Sequence, residues 1–195
     1  MEEKAMTHLR TCLIVLLVPF LISLSSCARK VDHEALSCDA ALAFSNMIIS
    51  GMAGHKPVFI DTGVDLISFT DQFLSTETNQ SAMPRPPRQL LDEMRGVGAS
   101  NAVKNCPSVK SALQRGAIAF GERAVSEALH QSPDGTFANT VIGISKPVIS
   151  SDGRQALVGL TAISGTLDGY GFFYLLQKMP DSRWQVIAHY PLYVS

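Results

Sequence analysis

Four thiols carry the most specific chemistry in this sequence: Cys12, Cys27, Cys38 and Cys106. A cysteine sulfur can be a nucleophile, a metal ligand, an acylation site or half of a disulfide, and its surroundings decide among these. The apolar, uncharged run Cys12 to Leu24, CLIVLLVPFLISL, leads directly into Ser25-Ser26-Cys27. A bilayer-spanning helix takes roughly 20 apolar residues, whereas the core of an export signal takes about 7–15, so this run fits export and not a span. Pro19 further disfavours a long helix there. Small Ser25 and Ser26 suit cleavage immediately before Cys27. In Met1 to Thr11, Glu2 and Glu3 offset Lys4 and Arg10, while a start at Met6 gives the cationic leader MTHLRT. Met6 is therefore the expected translation start.

Leader, apolar core and Leu24-Ser25-Ser26-Cys27 together resemble the signal of bacterial lipoproteins, whose lipobox cysteine is acylated and becomes the new N-terminus. The resemblance implies residues 1–26 as a lipoprotein signal peptide and 27–32 as a lipidated tether. It implies acyl chains on Cys27 that hold the chain to the lipid bilayer. A single chain of about 14 carbons binds only marginally, and the three chains of this protein class anchor firmly. The implied location is the cell envelope, lipid-anchored, facing the periplasm or the surface. Ala28 stands where an aspartate would favour inner-membrane retention, so an outer-membrane destination is expected in a cell with two membranes. An ordinary secretory signal with an incidental cysteine is the alternative.

With Cys12 lost in the leader and Cys27 acylated, Cys38 and Cys106 remain as an even pair in an oxidising compartment. A disulfide between them is expected, worth about 4 kcal/mol in the chain-entropy description. Two separate buried thiols are the alternative. The five histidines, His8, His33, His55, His130 and His189, are scattered, and none has metal-ligand spacing to another histidine or a cysteine. No metal or other cofactor is expected. The leader's charges cancel, so the remainder keeps the formal net charge of −1. No basic stripe occurs beyond Arg85 and Arg88, and nucleic acid is not an expected partner.

Fragments of catalytic motifs are present in the wrong contexts. Gly169-Tyr170-Gly171 leads into a strand and not from a strand into a helix, so it reads as a hairpin turn and not a phosphate cradle. Gly143-Ile144-Ser145-Lys146-Pro147 departs from the nucleophile elbow at its last position, where Pro147 also blocks the helix that should follow. Asp61, Asp65 and Asp71 match no calcium-loop spacing and read as a solvated face. His189 reads as a rim residue of the last strand, opposite the Trp184 face by alternation. The Pro84-Arg85-Pro86-Pro87-Arg88 segment is either a stiff exposed loop or a recognition segment. Tyr170, Phe172, Phe173, Tyr174, Trp184, Tyr190 and Tyr193 concentrate near the C-terminus. Alternation must expose some of them, and that aromatic patch is the best candidate contact surface.

The elements that position these residues follow from periodicity. Asp32 can cap a helix from His33, with Leu36, Ala40, Ala41, Phe44, Met47 and Ile48 on one stripe and Gly51 as its stop. Lys56 to Gly63 reads as a short strand. Leu66, Phe69, Phe73 and Leu74 have helical spacing, Thr76 to Arg88 is a polar, proline-rich loop, and Pro87 to Arg95 is a short helix. Ala99 to His130 is rich in helix formers, with Ile118 to Phe120 able to pair as a strand. Four apolar runs follow: Thr140 to Ile149, Gln155 to Ile163, Tyr170 to Met179 and Arg183 to Val194. Short turns separate them, built on Ser151-Asp152-Gly153, Gly165 to Gly169 and Pro180-Asp181-Ser182, so neighbouring strands run antiparallel. Phe172, Tyr174 and Leu176 share one face by alternation, and Trp184, Val186 and Ala188 share another.

Asp152-Gly153, Ala156-Leu157-Val158, Gly169-Tyr170-Gly171-Phe172, Trp184-Gln185-Val186 and Tyr193-Val194 resemble the C-terminal meander of small exported bacterial proteins. The arrangement is similar, more loosely, to the cone-shaped helix-on-sheet folds of the nuclear transport factor 2 family, which host enzymes and binders alike. The predicted architecture is one α+β domain over 33–195. In it, N-terminal and middle helices pack on a C-terminal antiparallel meander of four strands, or five with Lys56 to Asp61. The leading functional expectation is a non-enzymatic envelope lipoprotein that binds or scaffolds another envelope protein. A small-molecule pocket between helix and sheet is the second expectation, and a hydrolase whose residues converge only in the fold is the third.

Overall fold

The computed structural model describes residues 32–52, 57–62, 86–97, 100–130, 136–165 and 168–194. The expected signal peptide, Cys27, the helical pattern at Leu66 to Leu74 and the loop expected up to Arg85 lie outside the described residues. Helix α1 (His33–Gly51) starts where the sequence predicts it: the Asp32 side chain accepts a hydrogen bond from the Ala35 amide at 3.0 Å. Its inward face is Ser37, Ala40, Ala41, Phe44 and Ser45. The two alanines let the helix axis come close to the sheet, and Phe44 fills the space beyond them. Both buried serines are satisfied, Ser37 Oγ by donating to the Pro147 carbonyl and Ser45 Oγ by donating to Ala41 O at 2.8 Å.

Strand β1 (Val58–Phe59) comes next, then helices α2 (Arg88–Val97), α3 (Ala102–Asn105), α4 (Pro107–Arg115) and α5 (Glu122–Ala128). The uncertain stretch after Ala99 thus becomes three short helices, and Phe120 makes a single parallel bridge to Phe59. Asn101 starts α3, its Oδ1 accepting from the Val103 and Lys104 amides at 2.8 and 3.2 Å. Pro107 opens α4 at a position where a missing amide costs nothing. The remaining strands are β2 (Thr136–Ile144), β3 (Val148–Ile149), β4 (Gln155–Gly165), β5 (Asp168–Lys178) and β6 (Trp184–Val194).

Among the described residues the fold is α+β, with five helices on a six-stranded sheet of order β1-β2-β4-β5-β6, and β3 paired to β4 beside that path. β4, β5 and β6 form the expected antiparallel meander. The strand within Lys56 to Asp61 does join the sheet, but parallel to β2, so the sheet is mixed. The apolar run Thr140 to Ile149 divides into β2 and β3. Pro147 has no amide to donate, and the Lys146 amide turns aside to Ser100 O, so the ladder breaks between them.

Both faces of the sheet are covered. On one, Ile142, Ile144, Ile149, Ala156, Val158, Leu160, Ala162, Leu176 and Trp184 meet α1, α3 and α4 through Ala40, Ala41, Phe44, Val103, Val109 and Leu113. On the other, Val148, Leu157, Phe173, Leu175 and Tyr190 meet Leu90, Leu91 and Met94 of α2. A small third cluster sets Ala128 of α5 on Val58 and Val141.

Simple alternation fails in β6. Leu175 pairs with Ala188 but Leu176 with Val186, leaving Ile187 as the extra residue of a bulge and 49% exposed. Trp184 and Val186 therefore belong to the α1 face, while Ala188 turns to the α2 face. His189, opposite Tyr174 in the register, lies on the same face as Trp184, contrary to the sequence expectation.

Cys38, in the second turn of α1, is bonded to Cys106 at the junction of α3 and α4, with Cα atoms 5.2 Å apart and a sequence separation of 68. Non-reducing peptide mapping will recover Cys38 and Cys106 in one crosslinked species; recovery of both as free thiols would refute the bond. The double replacement Cys38→Ser, Cys106→Ser will lower unfolding free energy by about 2–5 kcal/mol in chemical denaturation.

Candidate functional site

The residues singled out for chemistry are dispersed. Cys27, His55, Asp65 and Asp71 lie outside the described residues. His33, His130 and His189 are exposed. Among the described residues, no group of three or more histidine, cysteine, aspartate or glutamate side chains is placed to hold a metal. Ser145, the centre of the elbow-like fragment, is buried at the end of β2. Its Oγ accepts the Gly159 amide at 2.8 Å and lies 3.9 Å from Met94 Sδ, so it locks the sheet to α2. Asp61 lies over Gly121, whose φ of +91° is glycine territory, and a Cβ there would come within 3.3 Å of Asp61 Oδ2. Gly169 and Gly171 sit within β5, opposite Ile163 and Thr161.

The aromatic concentration is divided by the strand pleat. Phe173, Trp184 and Tyr190 are buried. Tyr170, Phe172 and Tyr174 are half-buried and stand in a row on the α1 face. Their rings are in sequence 5.6 and 6.0 Å apart by centroid, and His189 joins the row at 5.9 Å from Phe172 and 6.0 Å from Tyr174. Phe44 of α1 closes one end, 4.9 Å from Tyr174. Burial, with Tyr170 nearby, pushes the Tyr174 hydroxyl above the ordinary tyrosine value of 10.0, so it stays neutral and can donate. The row offers flat apolar area edged by hydroxyls and an imidazole, the chemistry of a contact surface.

A polar clasp lies at the other end of α1, and sequence reasoning did not find it. Trp184 Nε1 donates to Asp39 Oδ2 at 3.0 Å across 145 positions of chain. Lys178 Nζ approaches the same oxygen at 3.6 Å and sits 5.5 Å above the Trp184 ring. The usable signal was that an indole N–H is donor-only and needs an acceptor when its ring is buried. Beside the clasp, Met179, Pro180, Asp181, Arg183, Trp184 and Gln185 line an open depression of about 400 Å³. Between α1 and the sheet, the side chains of Phe44, Ala40, Ala41, Val158 and Leu176 belong to one packed cluster.

The turns at this end are held by carboxylates. Asp152 accepts from Ser150 Oγ at 2.6 Å and from the Arg154 amide at 3.0 Å, and these bonds hold it below the ordinary value of 3.8. Asp181 is likewise held down, first by the Arg183 side chain at 2.7 Å and then by the Arg183 amide. A carboxyl depressed on folding adds stability above its unfolded value and loses it as pH falls through the folded one. The denaturation midpoint will therefore drop with pH below 3.8, and Asp152→Asn with Asp181→Asn will make that drop shallower in urea titrations across the range. In the same assay at neutral pH, Trp184→Phe will cost about 1 kcal/mol through the lost bond to Asp39, and Trp184→Ala about 3–5 kcal/mol.

Comparison with known proteins finds no matching family model, no matching curated protein and no matching solved structure.

Proposed function

We propose that this chain is a lipid-anchored envelope protein whose folded domain binds or scaffolds another envelope component without catalysing a reaction. Acyl chains on Cys27 would hold it to the bilayer. The observation that carries the reading is the Cys38–Cys106 bond. Such bonds persist in exported proteins and are rare where thiol reductants dominate. It agrees with the leader and with Leu24-Ser25-Ser26-Cys27, which independently indicate export.

A binding role draws on the aromatic row. Half-buried Tyr170, Phe172 and Tyr174, with exposed His189 at their rim, combine apolar area with hydrogen-bonding tips. Aromatic residues of this kind are enriched at protein–protein contacts.

Metabolic labelling with an alkynyl fatty acid tests the anchor. The wild-type chain will take up label and sediment with membranes, and Cys27→Ser will do neither. Recovery of the native chain from the cytosol with its leader intact would overturn the proposal.

A further inference from the structure

We infer that β6 is built to refuse an added strand, so that neither a second copy of this chain nor an extended segment of another protein extends the sheet there. Among the described residues β6 is the last strand of the sheet, and it is 11 residues long. A strand of that length at a sheet edge is ordinarily a template for backbone pairing with another chain. Which of its groups face outward follows from the register. The Lys178 amide donates to Arg154 O at 2.7 Å, so Lys178 turns its backbone to β4. Every second residue of β5 does the same, through Leu176, Tyr174 and Phe172. The residues between, Gln177, Leu175 and Phe173, turn theirs to β6. Their partners Gln185, Ala188 and Tyr190 therefore point inward. Trp184, Val186, His189 and Pro191 lie opposite the other set and turn their backbone groups outward.

That outward series is broken in two ways. An added strand needs a donor and an acceptor from every second residue. Trp184 and Val186 keep that spacing, but Ile187 is extra, and the next outward residue is His189, three positions on. Beyond His189 stands Pro191, which has no N–H to offer. Pro191 is exposed, and its missing donor falls on the outer side, where the ladder to β5 loses nothing. A second register shift then leaves Leu192 unopposed. After Val186, no two successive outward positions present complete pairs of groups at ladder spacing. The opposite edge is closed by cover instead: the Phe59 amide of β1 donates to Ala119 O and the Gly121 amide to Phe59 O, both at 3.0 Å. Contacts to another protein at β6 thus fall to side chains, among them the exposed His189 that borders the aromatic row.

The test repairs the edge in the full chain. Deleting Ile187 together with Pro191→Thr restores even spacing and the missing donor. Because Ile187 is the extra residue, its deletion leaves Val186 opposite Leu176 and Ala188 opposite Leu175, so the side chains keep their faces. Pro191→Thr alone serves, with the same readout, if the double variant does not fold. Hydrogen exchange of single amides is followed at rising protein concentration. Slow exchange at Ala188 and Tyr190 reports the fold, and exchange at Val186 and His189 reports the outer edge. In the wild-type chain the Val186 and His189 amides will exchange at rates independent of concentration. In the repaired chain they will slow roughly tenfold or more as copies pair. Slowing of both amides with concentration in the wild type would overturn the inference, because the edge would then pair as it stands. So would a folded, repaired chain whose outer amides stay fast at every concentration, because bulge and proline would then not be what prevents pairing. The inference does not depend on acylation of Cys27, so its failure leaves the anchoring proposal standing.

Discussion

Closure of one sheet face by α1 is the constraint on which the rest of the domain depends. That face is built of Ala156, Val158, Leu160, Ala162 and Leu176, side chains that would stand in water without the helix. Burying one large apolar side chain such as Phe44 is worth about 1.5–3 kcal/mol, so the face contributes strongly only if the helix stays seated. Three kinds of bond hold its first two turns: the Cys38–Cys106 disulfide, the Ser37 hydroxyl on Pro147 O, and the Trp184 indole on Asp39. They are concentrated between residues 37 and 39. Beyond them the helix relies on packing, through Ala40, Ala41 and Phe44. The disulfide differs from the other two because it also restricts the unfolded chain, whereas the hydrogen bonds only replace bonds to water.

What the sequence makes legible follows from local physics. Asp32 before a stripe at four-residue spacing marks the start of α1, because a carboxylate that satisfies a free amide leaves a local signature. Asp152-Gly153 and Pro180-Asp181-Ser182 mark the meander turns for the same reason, since turn chemistry is written in adjacent residues. The Cys38–Cys106 pairing was legible by elimination once Cys12 and Cys27 were assigned elsewhere. Contacts that depend on tertiary register were not. Nothing local in Trp184-Gln185-Val186-Ile187-Ala188 says that Ile187 is extra, and that one residue moves His189 onto the Trp184 face. The Asp39–Trp184 bond joins residues 145 positions apart. The parallel pairing of Val58 with Val141 was equally hidden, because a two-residue strand carries no directional pattern.

The second sheet face shows how a motif fragment can be structural. An antiparallel sheet can leave one face in water, and the alternation in the meander allows that arrangement. Instead Leu157, Phe173 and Leu175 are buried under Leu90, Leu91 and Met94 of α2. Ser145 explains part of the fit. Its hydroxyl ties down the Gly159 amide where β2 leaves the ladder, and Asn101 pairs with it across an isolated bridge while donating to Ile60 O at 2.9 Å. A serine between Gly143 and Pro147 invites comparison with a nucleophile, yet burial and a committed lone pair make it a joint between strand, loop and helix.

The charged turns at Asp152 and Asp181 lie at one end of β4 and β5, and the half-buried row stands over the middle of the sheet, with Tyr174 opposite Val158, Phe172 opposite Leu160 and Tyr170 opposite Ala162. Phe44 of α1 meets Tyr174, so the helix that closes this face also borders the row, and the His189 side of the row is left to solvent.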